Sequence, residues 1–136
     1  MTDSPNVIEK LNDKCMIIKI NPKTIYDRGG IYAAVRWAWR ANLGRAERAD
    51  YVLAVETGTG GKIIGVFKPK KWYKSTAEND KKYKHFLNEG GSEETEKRIA
   101  FQGVEADENI RRKYLDKLLP LEFSASQNPV RYTYEW

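Results

Sequence analysis

The sequence predicts an α+β fold, a curved five-stranded sheet or partly open β-barrel flanked by two helices, in the order β-α-β-β-β-α-β. Three observations lead there. Short runs rich in β-branched residues, bounded by Gly, Pro and Asn, recur along the chain. One longer segment carries apolar residues at three- and four-residue spacing, the period of a helix. A chain of 136 residues has room for one well-formed core rather than two.

The elements follow in order. Cys15-Met16-Ile17-Ile18-Lys19-Ile20 is a β-branched run stopped by Asn21-Pro22, which makes it a strand. Residues 24–30, with Gly29-Gly30 at their end, read as a loop or turn. From 31 to about 49 the residues Ile31, Ala34, Val35, Ala38 and Ala41 mark a helix that Gly44 interrupts. Tyr51-Val52-Leu53-Ala54-Val55-Glu56 and Lys62-Ile63-Ile64-Gly65-Val66-Phe67, joined by Thr57-Gly58-Thr59-Gly60-Gly61, form a hairpin. Residues 75–97 are charged and small, and read as a long mobile loop with one helical turn near Tyr83 to Leu87. Arg98-Ile99-Ala100-Phe101-Gln102-Gly103-Val104 alternates as a strand does. Residues 107–119 open with acids and are closed by Pro120, as a helix would be. Val130-Arg131-Tyr132-Thr133-Tyr134 is the last strand. Residues 1–14 are then a flexible N-terminus, and 15–136 a single domain.

Composition narrows the function classes. Apolar residues make up 40% and aromatic ones 12%, too much for a disordered chain despite 32% charged residues. With 24 Lys and Arg against 19 Asp and Glu the net charge is +5, which suits a polyanion-binding face and excludes a DNA mimic. One cysteine cannot form an internal disulfide, and one His with one Cys cannot build a Cys/His zinc site. No apolar run is long enough to span a bilayer, and the polar first residues are not a signal peptide. The chain reads as soluble and cytoplasmic, with no membrane partner and no cofactor.

Catalysis finds little support. His85 lies among Lys81, Lys82 and Lys84 with no apolar pocket to tune it, so it reads as a solvated loop residue. Cys15 opens a strand and reads as a small buried hydrophobe. Asp50, Glu56, Glu105, Asp107 and Glu108 lack the paired spacing of a two-metal nuclease centre, and Asp107 and Glu108 already serve a helix start. The segment Gly58-Thr59-Gly60-Gly61-Lys62 lacks the phosphate-loop spacing and joins two strands.

Binding chemistry is more legible. Tyr32, Arg36 and Arg40 fall at i, i+4 and i+8 of the expected helix, with Trp39 beside them, so forked guanidiniums and an indole face would share a stripe. Phe67-Lys68-Pro69-Lys70-Lys71-Trp72-Tyr73-Lys74 interleaves four lysines with three aromatics as it leaves a strand. That pattern suits single-stranded or flipped-base binding, because lysines hold the backbone while Trp72 or Tyr73 stacks a base. In Ser126-Gln127-Asn128-Pro129-Val130-Arg131-Tyr132, the amides of Gln127 and Asn128 could read a base edge, or tie a loop to its own backbone. Arg131 adds a phosphate contact.

At these residues the chain resembles a known module. Ile25-Tyr26, Ile31-Tyr32, Val35-Arg36-Trp37-Ala38-Trp39-Arg40, Tyr51-Val52-Leu53-Ala54-Val55, Val66-Phe67-Lys68-Pro69, Lys71-Trp72-Tyr73, Phe101-Gln102-Gly103, Lys113-Tyr114-Leu115 and Gln127-Asn128-Pro129-Val130-Arg131-Tyr132 together resemble the small bacterial and phage domain that accompanies GIY-YIG nuclease domains. More loosely, the element order is similar to the PUA-like class that includes ASCH and EVE domains. The resemblance implies a barrel cleft that binds RNA or modified DNA bases, and a nuclease as partner. This chain has no GIY-YIG segment of its own, so catalysis does not carry over.

Two readings result. The first is a non-enzymatic module that recognises single-stranded or modified bases of RNA or DNA through a basic, aromatic-lined cleft. The second is a protein-interaction or nucleotide-sequestering protein, of the kind found in phage–host conflict. The sequence sets no oligomeric state.

Overall fold

A computed structural model describes residues 7–36, 39–74 and 98–135. The expected mobile loop at 75–97, with His85, lies outside the described residues, as do residues 1–6, Trp37 and Ala38. The fold is α+β, built on a nearly closed, barrel-like mixed sheet. Its strands are β1 (Cys15–Ile20), β2 (Trp39–Arg40), β3 (Tyr51–Glu56), β4 (Lys62–Lys74), β5 (Arg98–Glu105) and β6 (Val130–Tyr132). They lie in the order β2-β5-β4-β3-β1-β6, so β2 and β6 are the two edges. The described helices are α1 (Pro22–Arg28), α2 (Ile31–Arg36), α3 (Leu43–Ala46), α4 (Glu108–Tyr114) and α5 (Leu121–Ser124).

The sheet buries both faces. β1 runs parallel to β3, with Cys15 opposite Tyr51 and Ile20 opposite Glu56. A strand buried on both faces needs no alternation, which is why β1 reads as a continuous apolar run. Met16, Ile18 and Ile20 join Val52, Ala54, Ile99 and Phe101 in one cluster, covered by Ala34 and Val35 of α2 and Ala46 of α3. Cys15, Ile17, Leu53, Val55 and Val66 form the other with Tyr114, Leu119 and Phe123. Each fully buried Ile, Leu or Val contributes roughly 1.5–3 kcal/mol. Burial also pushes the Cys15 thiol up to about 12, aided by Asp13 and Asp50 nearby, so the thiol stays protonated at neutral pH.

The expected hairpin forms, with Val52 opposite Phe67 across β3 and β4. Five expectations are corrected. Instead of the loop expected over 24–30, residues 22–28 form α1: the Asn21 side chain accepts from Thr24 N–H at 2.7 Å, Pro22 sits in the first turn, and Gly29 closes the helix at φ 87°. Asn-Pro, read as a strand stop, is equally a helix start, because Pro at the first helical position loses no hydrogen bond. The long helix at 31–49 ends at Arg36, and Trp39-Arg40 form the edge strand β2 before the short α3. β4 does not leave the sheet at Phe67 but runs on to Lys74. The sheet therefore has six strands rather than five, and more than two helices flank it. The helix expected over 107–119 is shorter: Asp107 caps it at Ile110 N–H, and Asp116 stands at φ 66° after its end.

Residues 7–14 are held against the domain. Ile8 N–H donates to the Leu118 carbonyl at 2.9 Å, and Ile8 and Leu11 pack on the second cluster. Burial, aided by the bond that the Tyr114 hydroxyl donates to the Asp13 carboxylate, raises the Tyr114 pKa above the usual phenol range.

One edge has an unusual seal. β2 pairs only with Arg98 and Ile99, so the outer edge of β5 beyond Ile99 has no strand of the described residues beside it. α2 takes that place. Arg36 Nε donates to the Phe101 carbonyl at 2.9 Å, and the Gly103 N–H donates to the Tyr32 hydroxyl at 3.0 Å. Residues four apart on a helix are separated by about 6 Å, close to the roughly 6.7 Å of two strand residues. Gly103 permits the close strand pairing, since a Cβ there would come within 2.2 Å of the Lys68 carbonyl oxygen.

Arg36→Ala should therefore lower stability by about 1–3 kcal/mol, the cost of stranding a covered carbonyl. Urea unfolding measures it. An unchanged midpoint would show that water replaces the guanidinium without loss.

Candidate functional site

The structure brings together three of the predicted site residues that are far apart in sequence. Arg40 of edge strand β2, and Asn128 and Arg131 at edge strand β6, line one cleft of about 300 Å³ together with Ala41, Asn42, Arg45, Val130 and Tyr132. The cleft lies in the seam where the sheet stops short of closing, and no carboxylate is among these lining residues. Arg45 was not singled out in the sequence. It enters because the Asn42 side chain caps α3 by accepting Arg45 N–H at 2.9 Å, which turns the arginine across the seam.

Arg45 is held firmly. Its guanidinium carbon lies 4.0 Å from the centre of the Tyr132 ring. Its Nη2 donates to the Tyr134 carbonyl at 3.2 Å, and the Tyr134 hydroxyl donates back to the Arg45 carbonyl at 2.6 Å. Yet Arg45 Nε and the Tyr132 hydroxyl are both buried with no hydrogen-bond partner among the described residues. Each such orphan costs roughly 1–3 kcal/mol. Burial raises the Tyr132 pKa, and the Arg45 charge partly offsets this, so the hydroxyl stays protonated and able to donate.

Asn128 is half committed. Its side-chain oxygen accepts Val130 N–H at 3.1 Å, an Asx turn, so only its NH₂ group faces outward as a donor. One lone pair of that oxygen is taken by this turn, while the NH₂ group can serve a phosphate oxygen. Arg131 lays its guanidinium over the Phe123 ring at 5.2 Å, with one N–H 3.5 Å from the Glu122 carbonyl oxygen. Lys19 is close by. Its ammonium donates to the Ser124 and Ser126 carbonyls, and burial followed by the Arg131 charge lowers its pKa.

The remaining predicted residues are placed elsewhere. Gln127 is exposed at a second cleft, which it lines with Lys19, Thr57 and Ser124. Lys68, Lys70 and Lys71 are exposed along β4. The expected helical stripe does not exist, because Arg36 closes α2 whereas Trp39 and Arg40 belong to β2. Arg36 also reaches the Tyr73 hydroxyl at 2.5 Å, so α2 and the end of β4 do meet. Trp39 is half-buried against the first cluster with the Arg28 guanidinium 5.7 Å from its ring. Trp72, expected beside the surface of a loop, sits in a strand opposite Phe101, ring centres 4.9 Å apart, and packs on the first cluster. Charge interleaving marked the whole segment as basic but could not tell which alternate residues face inward.

Three of the carboxylates have structural partners. Glu105 pairs with Arg111 at 3.1 Å, Glu108 with Arg112 at 2.6 Å, and Asp107 caps α4. A larger cleft of about 430 Å³ lies between α2 and α4, lined by Tyr32, Gly65, Phe67, Gly103 and Arg111 among others, and is mainly apolar.

Trp72→Ala should cost about 3 kcal/mol of stability, as loss of a packed indole does, while the folded variant keeps its affinity for single-stranded oligonucleotides. Thermal melting and titration of the same variant check both. An unchanged melting temperature with weakened binding would make Trp72 a surface stacking platform instead. Among family models, curated proteins and solved structures, none matches this chain.

Proposed function

We propose that this protein is a non-enzymatic module that binds single-stranded RNA or DNA in the seam cleft. The convergence of Arg40, Arg45, Arg131 and Asn128 on one cleft, with no carboxylate among its described lining residues, carries this reading. Arginine forks match phosphate oxygens, and a net charge of +5 steers a polyanion toward them. The register supports a path leading away from the cleft. Arg40 lies opposite Arg98 on β5, and the next strand in the sheet carries exposed Lys68, Lys70 and Lys71. Phosphates would enter at the cleft and follow the lysines of β4. A PUA-like ancestry, a nuclease as partner and a cytoplasmic setting accord with this reading. No helix of the described residues is long and apolar enough to cross a membrane.

A second reading, sequestration of a nucleotide or small partner, is favoured by the apolar cleft between α2 and α4. Salt separates the two. Binding of an unstructured 15-nucleotide strand should weaken with salt, with a log–log slope near −2 for about three phosphate contacts. Arg131→Ala and Arg40→Ala should each lower affinity about 5- to 20-fold and flatten the slope by about 0.7. Arg112→Ala, on α4, should change neither. Affinity that ignores both cleft arginines would sink the seam site.

A further inference from the structure

Resting on the seam cleft as a nucleic-acid site, we infer that its preferred ligand is the phosphorylated end of a single strand rather than an internal stretch. Three features of the cleft lead there. Among the described residues its lining carries three guanidinium groups and no carboxylate. An internal phosphodiester brings one negative charge, whereas a terminal phosphate monoester brings about 1.5–2 near neutral pH and three acceptor oxygens. The monoester is the closer match to so dense a positive site.

The second feature is the pair of orphan donors. Arg45 Nε and the Tyr132 hydroxyl are buried and unpartnered among the described residues, and they belong to one stack, guanidinium on ring at 4.0 Å. Tyr134 fixes Arg45 from both its main chain and its hydroxyl, so this arginine is held in place at the cleft. Both orphan atoms are covered, so an acceptor reaches them only as the stack opens toward the cleft; the oxygens of one phosphate would then serve both, with the Asn128 NH₂ group beside them.

The third feature is size. About 300 Å³ is the lower end of the range for a small-molecule pocket, room for one nucleotide unit and not for several in file. The Arg45–Tyr134 bridge spans the seam. A strand that seats its end here leaves by the open side, toward β4.

The test compares fluorescent 10-nucleotide strands of one sequence carrying a phosphate or a hydroxyl at the unlabelled end, in both polarities, by anisotropy at fixed salt. The expected result is at least tenfold tighter binding of a phosphorylated end, displaced by a nucleoside monophosphate more readily than by inorganic phosphate. Tyr132→Phe keeps the ring but removes the hydroxyl, and should reduce that preference about threefold or more while leaving the affinity for hydroxyl ends unchanged. Equal binding of phosphorylated and hydroxyl ends overturns the inference and leaves the nucleic-acid reading standing. Equal displacement by inorganic phosphate overturns the nucleotide part of it. Failure of every strand to bind, with the protein folded by circular dichroism, removes the nucleic-acid reading itself.

Discussion

Everything distinctive in this molecule follows from a sheet that curls almost into a barrel and leaves two edges to be satisfied. Open edges expose backbone donors and acceptors and invite pairing with other chains. Here a helix seals one of them. Tyr32 and Arg36, one turn apart on α2, stand in for the strand that β5 lacks and bond to Gly103 and Phe101. Across the remaining gap Arg45 ties α3 to β6 through Tyr132 and Tyr134. What neither device covers is the cleft, so the proposed binding site is the part of the seam that the fold leaves unsealed.

This explains why arginines dominate the seam. A guanidinium can stack on a ring, bond to a carbonyl and still hold donors in reserve. Arg45 does the first two through Tyr132 and Tyr134 while its Nε stays unpartnered among the described residues. A lysine placed there would have donors enough but no flat face to stack on the ring. Arg36 and Arg45 thus illustrate two uses of one side chain, the first sealing a strand edge and the second bridging the seam beside the cleft.

The sequence conveyed the strands better than their extent. β1, the β3–β4 hairpin, β5 and β6 were legible because β-branched runs and turn glycines mark them locally. The long helix was misread because Ala38 and Ala41 continue the apolar period of α2 in register, although Trp39–Arg40 form β2; local period cannot register an edge strand two residues long. Arg40, Asn128 and Arg131 were legible as binding candidates from residue type. Arg45 was not, since its place in the site depends on the cap at Asn42 and on a tyrosine 87 positions away that only the closed fold brings near. Trp72 stands in a basic stretch that suggested a surface ring, but it lies in β4 opposite Phe101 and packs half-buried on the first cluster, a placement that only the strand pairing sets.

The most direct measurement is nitrogen-15 NMR of the arginine Nε–H and asparagine NH₂ signals during titration with an unstructured oligonucleotide. A site in the seam requires that the Arg45 Nε–H signal and the Asn128 NH₂ signals move together, saturating at one strand per protein, with Arg111 and Arg112 still. Shifts that bypass Arg45 and Asn128 and appear at Arg111 and Gly103, in the apolar cleft between α2 and α4, would contradict it.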